Sequence, residues 1–564
     1  MTTNSDFDVV IIGAGHNGLI AGAYLAALGE KVCLVEAHSK VGGGVMTDEV
    51  TLPGFKHDLC STVHHTIREN PLIKDDELGL QRKYGLEYIV PEVQRVVLFP
   101  GKRKVVMHKD IQVTCDYISQ FSKHDAAEYP RFMEWATNVW QLSGTLFGHL
   151  FEPSPVIIDS LRGRRGGRLA KTARKWTELI KLSGPMLKMS PQDLFAMSTA
   201  KATDIYDRFF ENEYVKAMLY KHCSQTCNVP YQMGTAGVAA LVAVHDHLDS
   251  GGIPKGGSGM LTQVLARYVE DHGGTILVDS EATKVVVREG EAKGVLLRDG
   301  TELIASKAVI SNINIKQLFL QLLEPGLLSA SLIERVKILR HSTLPSITVH
   351  AATWQPPIFH DHPDIHKPMS VEIIPCTDSP LAYMVNHFKD IERGEYPAEP
   401  SFWVDTHTLN DPTRAPAGGH TVWVYGAAPY SLKDGGPEAW RTFGDVAAKR
   451  MWDVLTKFAS NMRWDDIPKY FLETPPSVAE RNPAMMLGDH EHLAMELDQM
   501  YGNRPLPELS DFTTPIHGLY LCGASISGGP VTGAGRAAAI AVAVHLGLVD
   551  SVAEFEKGAR QASV

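Results

Sequence analysis

The chain lacks a basic surplus, a cysteine framework and any long apolar run, and each absence closes off a class of function. Lys and Arg number 54 against 65 Asp and Glu, a formal charge of −11, whereas a general nucleic-acid binder shows a basic footprint. Seven cysteines occur in 564 residues: Cys33, Cys60, Cys115, Cys223, Cys227, Cys376 and Cys522. They are odd in number and scattered, with no paired C-x-x-C. That argues against a disulfide scaffold or a zinc ribbon and suits a reducing compartment. The longest apolar stretches, such as 234–244, fall short of the ~20 residues that a membrane helix needs. The polar lead before Val9-Val10-Ile11-Ile12 has neither the basic start nor the apolar length of an export signal. A cytoplasmic protein is expected.

Metal and nucleophile signals are thin as well. Histidines cluster at His245-Asp246-His247, at His360-Asp361-His362 with His366, and at Asp489-His490-Glu491-His492. None forms a helical H-E-x-x-H or a tetrahedral set with cysteine, so no metal is expected. No Ser-His-Asp order or cysteine nucleophile stands out. The composition, 44% hydrophobic and 21% charged, is that of a globular protein. The length exceeds what one core organises, so at least two domains are expected.

What is present is a dinucleotide signature. Residues 8–12 are β-branched and apolar, as in a strand buried on both faces. They run into Gly13-Ala14-Gly15-His16-Asn17-Gly18, then a helix over 19–28, a break at Gly29-Glu30 and a second strand over 31–35 ending at Glu36. This is a βαβ unit with G-x-G-x-x-G in its first turn. Gly13 permits the tight turn, Gly15 lets backbone approach a pyrophosphate, and Gly18 allows close helix packing. Gly22 can serve the same packing. The helix N-terminus offers N–H groups and partial positive charge to phosphate. Glu36 is placed for ribose hydroxyls and would repel a 2′-phosphate. Ala37 and the run Gly42-Gly43-Gly44 follow as an E-x6-G-G element, where backbone can pass close to a flavin nucleotide; the plainer reading is a flexible loop.

A second strand–glycine–helix pattern stands near the other end: 518–523, then Gly528-Gly529-Pro530-Val531-Thr532-Gly533, then a helix over 537–546. Its helix start would suit negative charge on a reduced flavin, which favours FAD over NAD. Between the two lie a helix over 261–272 and strands over 275–278, 282–287, 294–298 and 302–309, the last two flanking the turn Asp299-Gly300. Ala282 is placed where related folds let a backbone amide meet adenine.

Four segments, 10–44, 252–314, 411–430 and 514–539, resemble the FAD-dependent phytoene desaturase-like oxidoreductases. That group includes carotenoid desaturases and isomerases and the pyridine nucleotide-disulphide oxidoreductase domain 2 proteins. The resemblance implies an α/β fold: a Rossmann-type, glutathione reductase-like FAD-binding domain assembled from 1–70, 250–320 and 505–564, with an α+β substrate domain from 71–249 and 321–504. It implies FAD held by Gly13, Ala14, Gly15, Asn17, Gly18, Glu36, Ala37, Gly43, Gly44, Ala282, Gly523, Val531, Thr532 and Gly533. It further implies hydride transfer between FAD and an apolar small molecule, with oxygen or a quinone as electron acceptor. A redox-neutral double-bond isomerase is the alternative, and a lipid-escort protein on the same fold is a third reading. Two departures fall near the expected flavin edge: Ser525-Ile526-Ser527 where the family often carries His-Pro-Gly, and Gly535-Arg536-Ala537 where many have Gly-Arg-Asn.

His245 and His247, ahead of the glycine-rich 251–259, are candidates for acid or base work; packing is the plainer reading, and His64 and His65 stand likewise. Residues 162–188 carry nine basic groups against Glu178, interleaved with apolar residues. The stretch reads either as a peripheral contact with an anionic bilayer or as a solvated helix face or lid.

Overall fold

The computed structural model describes residues 7–146, 189–247, 251–526 and 533–563, with Pro153 and Ile158. The basic stretch 162–188, together with Val531 and Thr532, lies outside the described residues. The first sheet has a parallel centre. Phe7–Ile12 lies between Val32–Val35 and Glu302–Ser311, and Thr275–Leu277 and Leu519–Leu521 extend the two sides. Ala282–Arg288 and Glu291–Leu297 form an antiparallel hairpin against the first half of Glu302–Ser311. Val9–Ile12 and Val32–Val35 are buried apolar runs at the centre of the sheet, as expected where a parallel sheet is covered. His16–Ala27 packs against both Met260–Asp271 and Ala534–Leu546, and the three helices share one apolar core with these strands.

Register fixes where this sheet opens. Ile12 pairs with Val35 and Ser311, Val35 with Leu277, and Ser311 with Leu521. The carboxyl ends therefore form one row, and the turns after them face a common crevice, the usual ligand position in open α/β sheets.

Two helices begin earlier than the residue pattern predicts, at His16 rather than 19 and at Ala534 rather than 537. A tertiary contact decides both: the Gly535 amide donates to Asn17 Oδ1 at 3.1 Å. A Cβ on Gly535 would sit 2.1 Å from Asn17 O, and one on Gly18 2.2 Å from Gly13 O. These glycines let the two helix starts close on each other and on the first turn.

The second sheet runs Lys469–Glu473, Ser346–Thr353, His420–Ala427, Phe402–Asp405, Ser370–Ile373, Val93–Leu98, Lys104–His108. All neighbours are antiparallel except Ser370–Ile373 with Val93–Leu98. Side chains alternate faces along a strand. Val96, Val371, Ile373, Phe402, Val404, Val422, Val424, Ile347 and Val349 share a core with the helix Trp440–Phe458. The intervening Arg95, Glu372, Trp403, Asp405, Trp423 and Tyr425 therefore point the other way. A third core gathers the helices Ala202–Phe209, Glu213–Cys223 and Ala236–His247 around Lys123–Leu146. Among the described residues no helix is long and apolar enough to cross a membrane.

Candidate functional site

A cavity of about 870 Å³ lies between the crevice of the first sheet and the outward face of the second. At the first-sheet end it is lined by Gly13, Gly15, Asn17, Glu36, Ala37, Gly43, Gly44, Ala282, Asn312 and Ala524. Gly13 has φ +91°, which glycine adopts without strain. Gly15 caps the helix His16–Ala27 with no side-chain bond to its first turn, so the N-terminal amides are left for a ligand. Gly15 bridges Gly42, and a Cβ on Gly43 would lie 3.1 Å from Gly15 Cα. The two glycine segments thus face each other at a gap that side chains would fill. Glu36 accepts the Ala14 amide at 2.9 Å through Oε2 and the His38 amide at 3.0 Å through Oε1; each oxygen has a further lone pair for a hydroxyl. Asn312 Nδ2 donates to Gly13 O at 3.1 Å and braces the turn. This cradle of bare backbone, helix N-terminus and carboxylate fits the pyrophosphate and ribose of a dinucleotide.

The other described positions expected at the cofactor do not line the cavity. Ala14 is joined to its wall through its amide on Glu36, and Gly18 is a packing residue. Gly523 turns with φ +89° against Asn312. Gly533, φ +79°, leaves no room for a Cβ beside Asn70 Nδ2. The departure at Ala537 is not at the cavity: the residue is buried in the first core, and the buried guanidinium of the neighbouring Arg536 bonds Glu77 at 2.8 and 2.9 Å. Ser525 receives the Ile315 amide at 3.3 Å and lies 3.3 Å from His492 Nδ1.

The far end is the outward face of the second sheet. Arg95 donates to Asp246 at 2.6 Å, Gln225 at 2.6 Å and Glu372 at 3.1 Å. Trp403 Nε1 also reaches Glu372, at 2.9 Å. Burial alone would raise Glu372, but His222, Arg95 and Lys221 bring it down to about 2. Asp405 Oδ1 has no hydrogen-bond partner among the described residues, and burial pushes its carboxyl up to about 7. Trp423 and Tyr425 stack at 4.7 Å and 8° on the next strand.

His245 and His247 separate. His245 lines the cavity, stacks on His65 at 5.3 Å, and is lowered to about 4 by burial. His247 is not on the wall; its Nε2 lies 2.9 Å from Tyr129 Oη. His65 lines the cavity with both ring nitrogens unpartnered among the described residues. His64 is structural, bonded to Tyr88 and Ser258. Among the described residues the one grouping with metal-ligand proximity is His124, Asp125 and Glu211. There Asp125 already accepts the Glu211 and Asn212 amides, both at 3.0 Å.

The segment 411–430 acts from behind the site. Asp411 Oδ2 accepts the Gly256 amide at 2.6 Å. Buried Arg414 pairs with Asp58, whose other oxygen takes the Ser258 amide at 2.8 Å. These bonds fasten the glycine-rich 251–259 to the second sheet.

Residues 18–433 match the family model described as flavin containing amine oxidoreductase. Along nearly its whole length the chain is similar to pyridine nucleotide-disulfide oxidoreductase domain-containing protein 2 of Rattus norvegicus, 29% identical over 559 residues, covering 95% of this chain and 93% of the relative. It is also similar to a limonene dehydrogenase subunit of Castellaniella defragrans, 27% identical over 568 residues, covering 96% and 95%. The fold matches that of cyclohexylamine oxidase from Brevibacterium oxydans, with a TM-score of 0.57 at 15% identity, over 96% of this chain and 99% of that one.

Proposed function

The chain belongs to the flavin containing amine oxidoreductase family and is an FAD-dependent oxidoreductase; we propose that it dehydrogenates or desaturates a hydrophobic small molecule, its electrons passing to oxygen or a quinone. The observation that carries this reading is one cavity joining the glycine cradle to an aromatic wall. Bound FAD supplies a two-electron acceptor that takes a hydride at N5. The residues of this chain do the rest. Gly13, Gly15, Gly43, Gly44 and Glu36 hold the nucleotide, which supports assigning 1–70, 250–320 and 505–564 to a glutathione reductase-like FAD-binding domain. Trp403, Trp423, Tyr425 and Phe471 line the far end and would orient an apolar skeleton, keep water out and hold the C–H bond at a near-attack distance of roughly 3–3.5 Å. The proton that leaves with the hydride needs an acceptor, and neutral His245 on the wall would take it.

An apolar, isoprenoid-like skeleton draws support from the relative named limonene dehydrogenase. The test is the visible spectrum of purified protein, followed by release and identification of the flavin and anaerobic titration with cyclic and linear isoprenoids. Flavin bleaching with matching loss of two hydrogens from one of them supports the proposal. Recovery of a rearranged but unoxidised product would favour isomerisation. A colourless protein that takes up no FAD would defeat it.

A further inference from the structure

One carboxyl on the wall of the substrate end is answered by no group among the described residues. Glu491 lines the cavity, is 7% exposed, and its Oε2 is buried without a hydrogen-bond partner. The charged and titratable groups around it leave it unpaired. Asp489, the neighbouring carboxylate, accepts the Ser342 and Glu491 amides, both at 2.9 Å, and lies 3.5 Å from His341. Arg504, the nearby cation, directs its guanidinium to backbone carbonyls: Glu491 at 2.6 Å, Ala524 at 3.0 Å, and Ala494, Gln499 and Leu493 at 3.3 Å. Arg481, on the same wall, is engaged by Glu473 at 2.5 Å and by Leu59 O at 3.2 Å, and Cys60, Cys227 and Tyr425 stand nearby with burial raising all three. His490 and His492 are held below the usual imidazole range by burial.

An ionised Glu491 would be a buried charge beside a carboxylate and without an ion pair, an arrangement proteins avoid by protonation. Burial, then Asp489, push its carboxyl up to about 8. A protonated carboxyl has one O–H to donate, and no acceptor among the described residues meets it. Trp423 Nε1 is a second buried donor without an acceptor there. It stacks on Tyr425, which lies 6.5 Å from the His490 ring, so both donors belong to one wall.

We propose that Glu491 determines specificity by donating a hydrogen bond to a substrate oxygen, so that the substrate is an oxygenated hydrophobic molecule, a ketone or alcohol, rather than a bare hydrocarbon or an amine. This rests on the dehydrogenase reading above and narrows it. A protonated amine carries donors and no acceptor: it would leave the Trp423 donor unanswered and would be met by Glu491 only in its ionised form, beside the Asp489 carboxylate.

The test uses the FAD-loaded enzyme and three probes of one carbon skeleton: carvone, limonene and carvylamine. Perturbation of the flavin spectrum gives each affinity. At pH 6.5 carvone binds at least about tenfold tighter than limonene, and carvylamine no tighter than limonene. The ketone preference fades as pH rises past about 8. Glu491→Gln keeps an N–H donor, so it retains the preference and loses the pH step; Glu491→Leu loses the preference. Equal binding of ketone and hydrocarbon, including no measurable binding of either, overturns the inference. So does tighter binding of the amine, or a pH step that survives in Glu491→Gln. Flavin content is read on the same samples: protein without FAD fails the oxidoreductase reading, whereas FAD-loaded protein with no ketone preference fails this inference alone.

Discussion

Arg536 offers the sharpest separation of scaffold from cofactor site. It is fully buried, bonds Glu77 at 2.8 and 2.9 Å, and reaches Glu556 at 2.8 Å. Glu77, also fully buried, receives the Tyr24 hydroxyl at 2.5 Å. Arg536→Met keeps most of the apolar stem and removes the charge, leaving Glu77 with Tyr24 and, at 3.8 Å, Arg560. Breaking one side of a buried pair costs about 3–5 kcal/mol. Unfolding entropy of roughly 2.1 cal/mol/K per residue gives about 1.2 kcal/mol/K for 564 residues. The expected fall in Tm is therefore ~2.5–4 °C for unfolding as one unit, and larger for a first-sheet unit melting alone. Arg536→Met with Glu77→Gln should recover most of the loss, since Gln still accepts from Tyr24 and no charge stays buried. Differential scanning calorimetry of FAD-loaded protein measures both variants, and released flavin per chain is assayed alongside. Because Arg536 stays off the cavity wall, FAD content per folded chain should match wild type. A single variant as stable as wild type, a double variant no better than the single, or selective loss of FAD would each refute the reasoning.

Two glycines of the first turn should part company. Gly15→Ala meets only Asn312 Nδ2 at 3.2 Å and more distant atoms, so it folds, but its methyl enters the nucleotide gap and FAD affinity falls about tenfold or more, read by flavin fluorescence quenching. Gly18→Ala drives a Cβ to 2.2 Å from Gly13 O and should cost about 1–3 kcal/mol of fold stability, seen as a lower Tm even at saturating FAD. Glu36→Ala removes the acceptor of the Ala14 and His38 amides and should weaken FAD binding more than it lowers the Tm of cofactor-free protein; equal loss of both would contradict a ribose contact. Stability should peak near neutral pH. Burial lowers His16 and His64 to about 3, and His245 and His492 to about 4, so below about 6.5 the unfolded chain binds more protons and stability is lost as pH falls. Asp405 and Glu491, raised to about 7 and 8, act oppositely and lose stability as pH rises through those values. A Tm that stays flat from pH 8.5 to 5 would contradict both.

The nucleotide end is legible in the sequence because its chemistry is local. Strand, glycine turn, helix and acid fall within residues 7–36, and each residue type has one geometric reason to be there. The two helix starts fall three residues ahead of the pattern because Asn17 and Gly535, 518 positions apart, decide them. The far wall is not legible for a related reason. The alternation in His420–Ala427 can be read as a strand, but not which of Val424 and Tyr425 faces a cavity. That choice is fixed by the helix Trp440–Phe458 packing on the valine face. His245 and His247 are equivalent in sequence; two residues along a helix turn them about 200° apart, and one reaches the wall while the other meets Tyr129. Glu491 is visible in the sequence only as part of a histidine-rich run with the look of a metal site. Its role depends on what surrounds it, above all on Arg504 being engaged by carbonyls.

The two sheets are constrained differently, and the difference bears on the substrate. The first sheet is constrained at every position that approaches the nucleotide: Gly13, Gly15, Gly18 and Gly43 cannot change without filling the gap or the turn. The second sheet is constrained by apolar packing on one face alone. Its valines and isoleucines answer to the helix behind them and Arg95 and Trp403 to the buried Asp246 and Glu372, while Asp405, Trp423 and Tyr425 can be exchanged without disturbing that core. A fold of this design keeps its redox cofactor and changes its substrate by substitution on alternate residues of the second sheet's strands. A buried carboxyl without a counter-ion is costly to keep, so Asp405 on that face and Glu491 beside it on the cavity wall bear directly on the proposed oxygenated substrate.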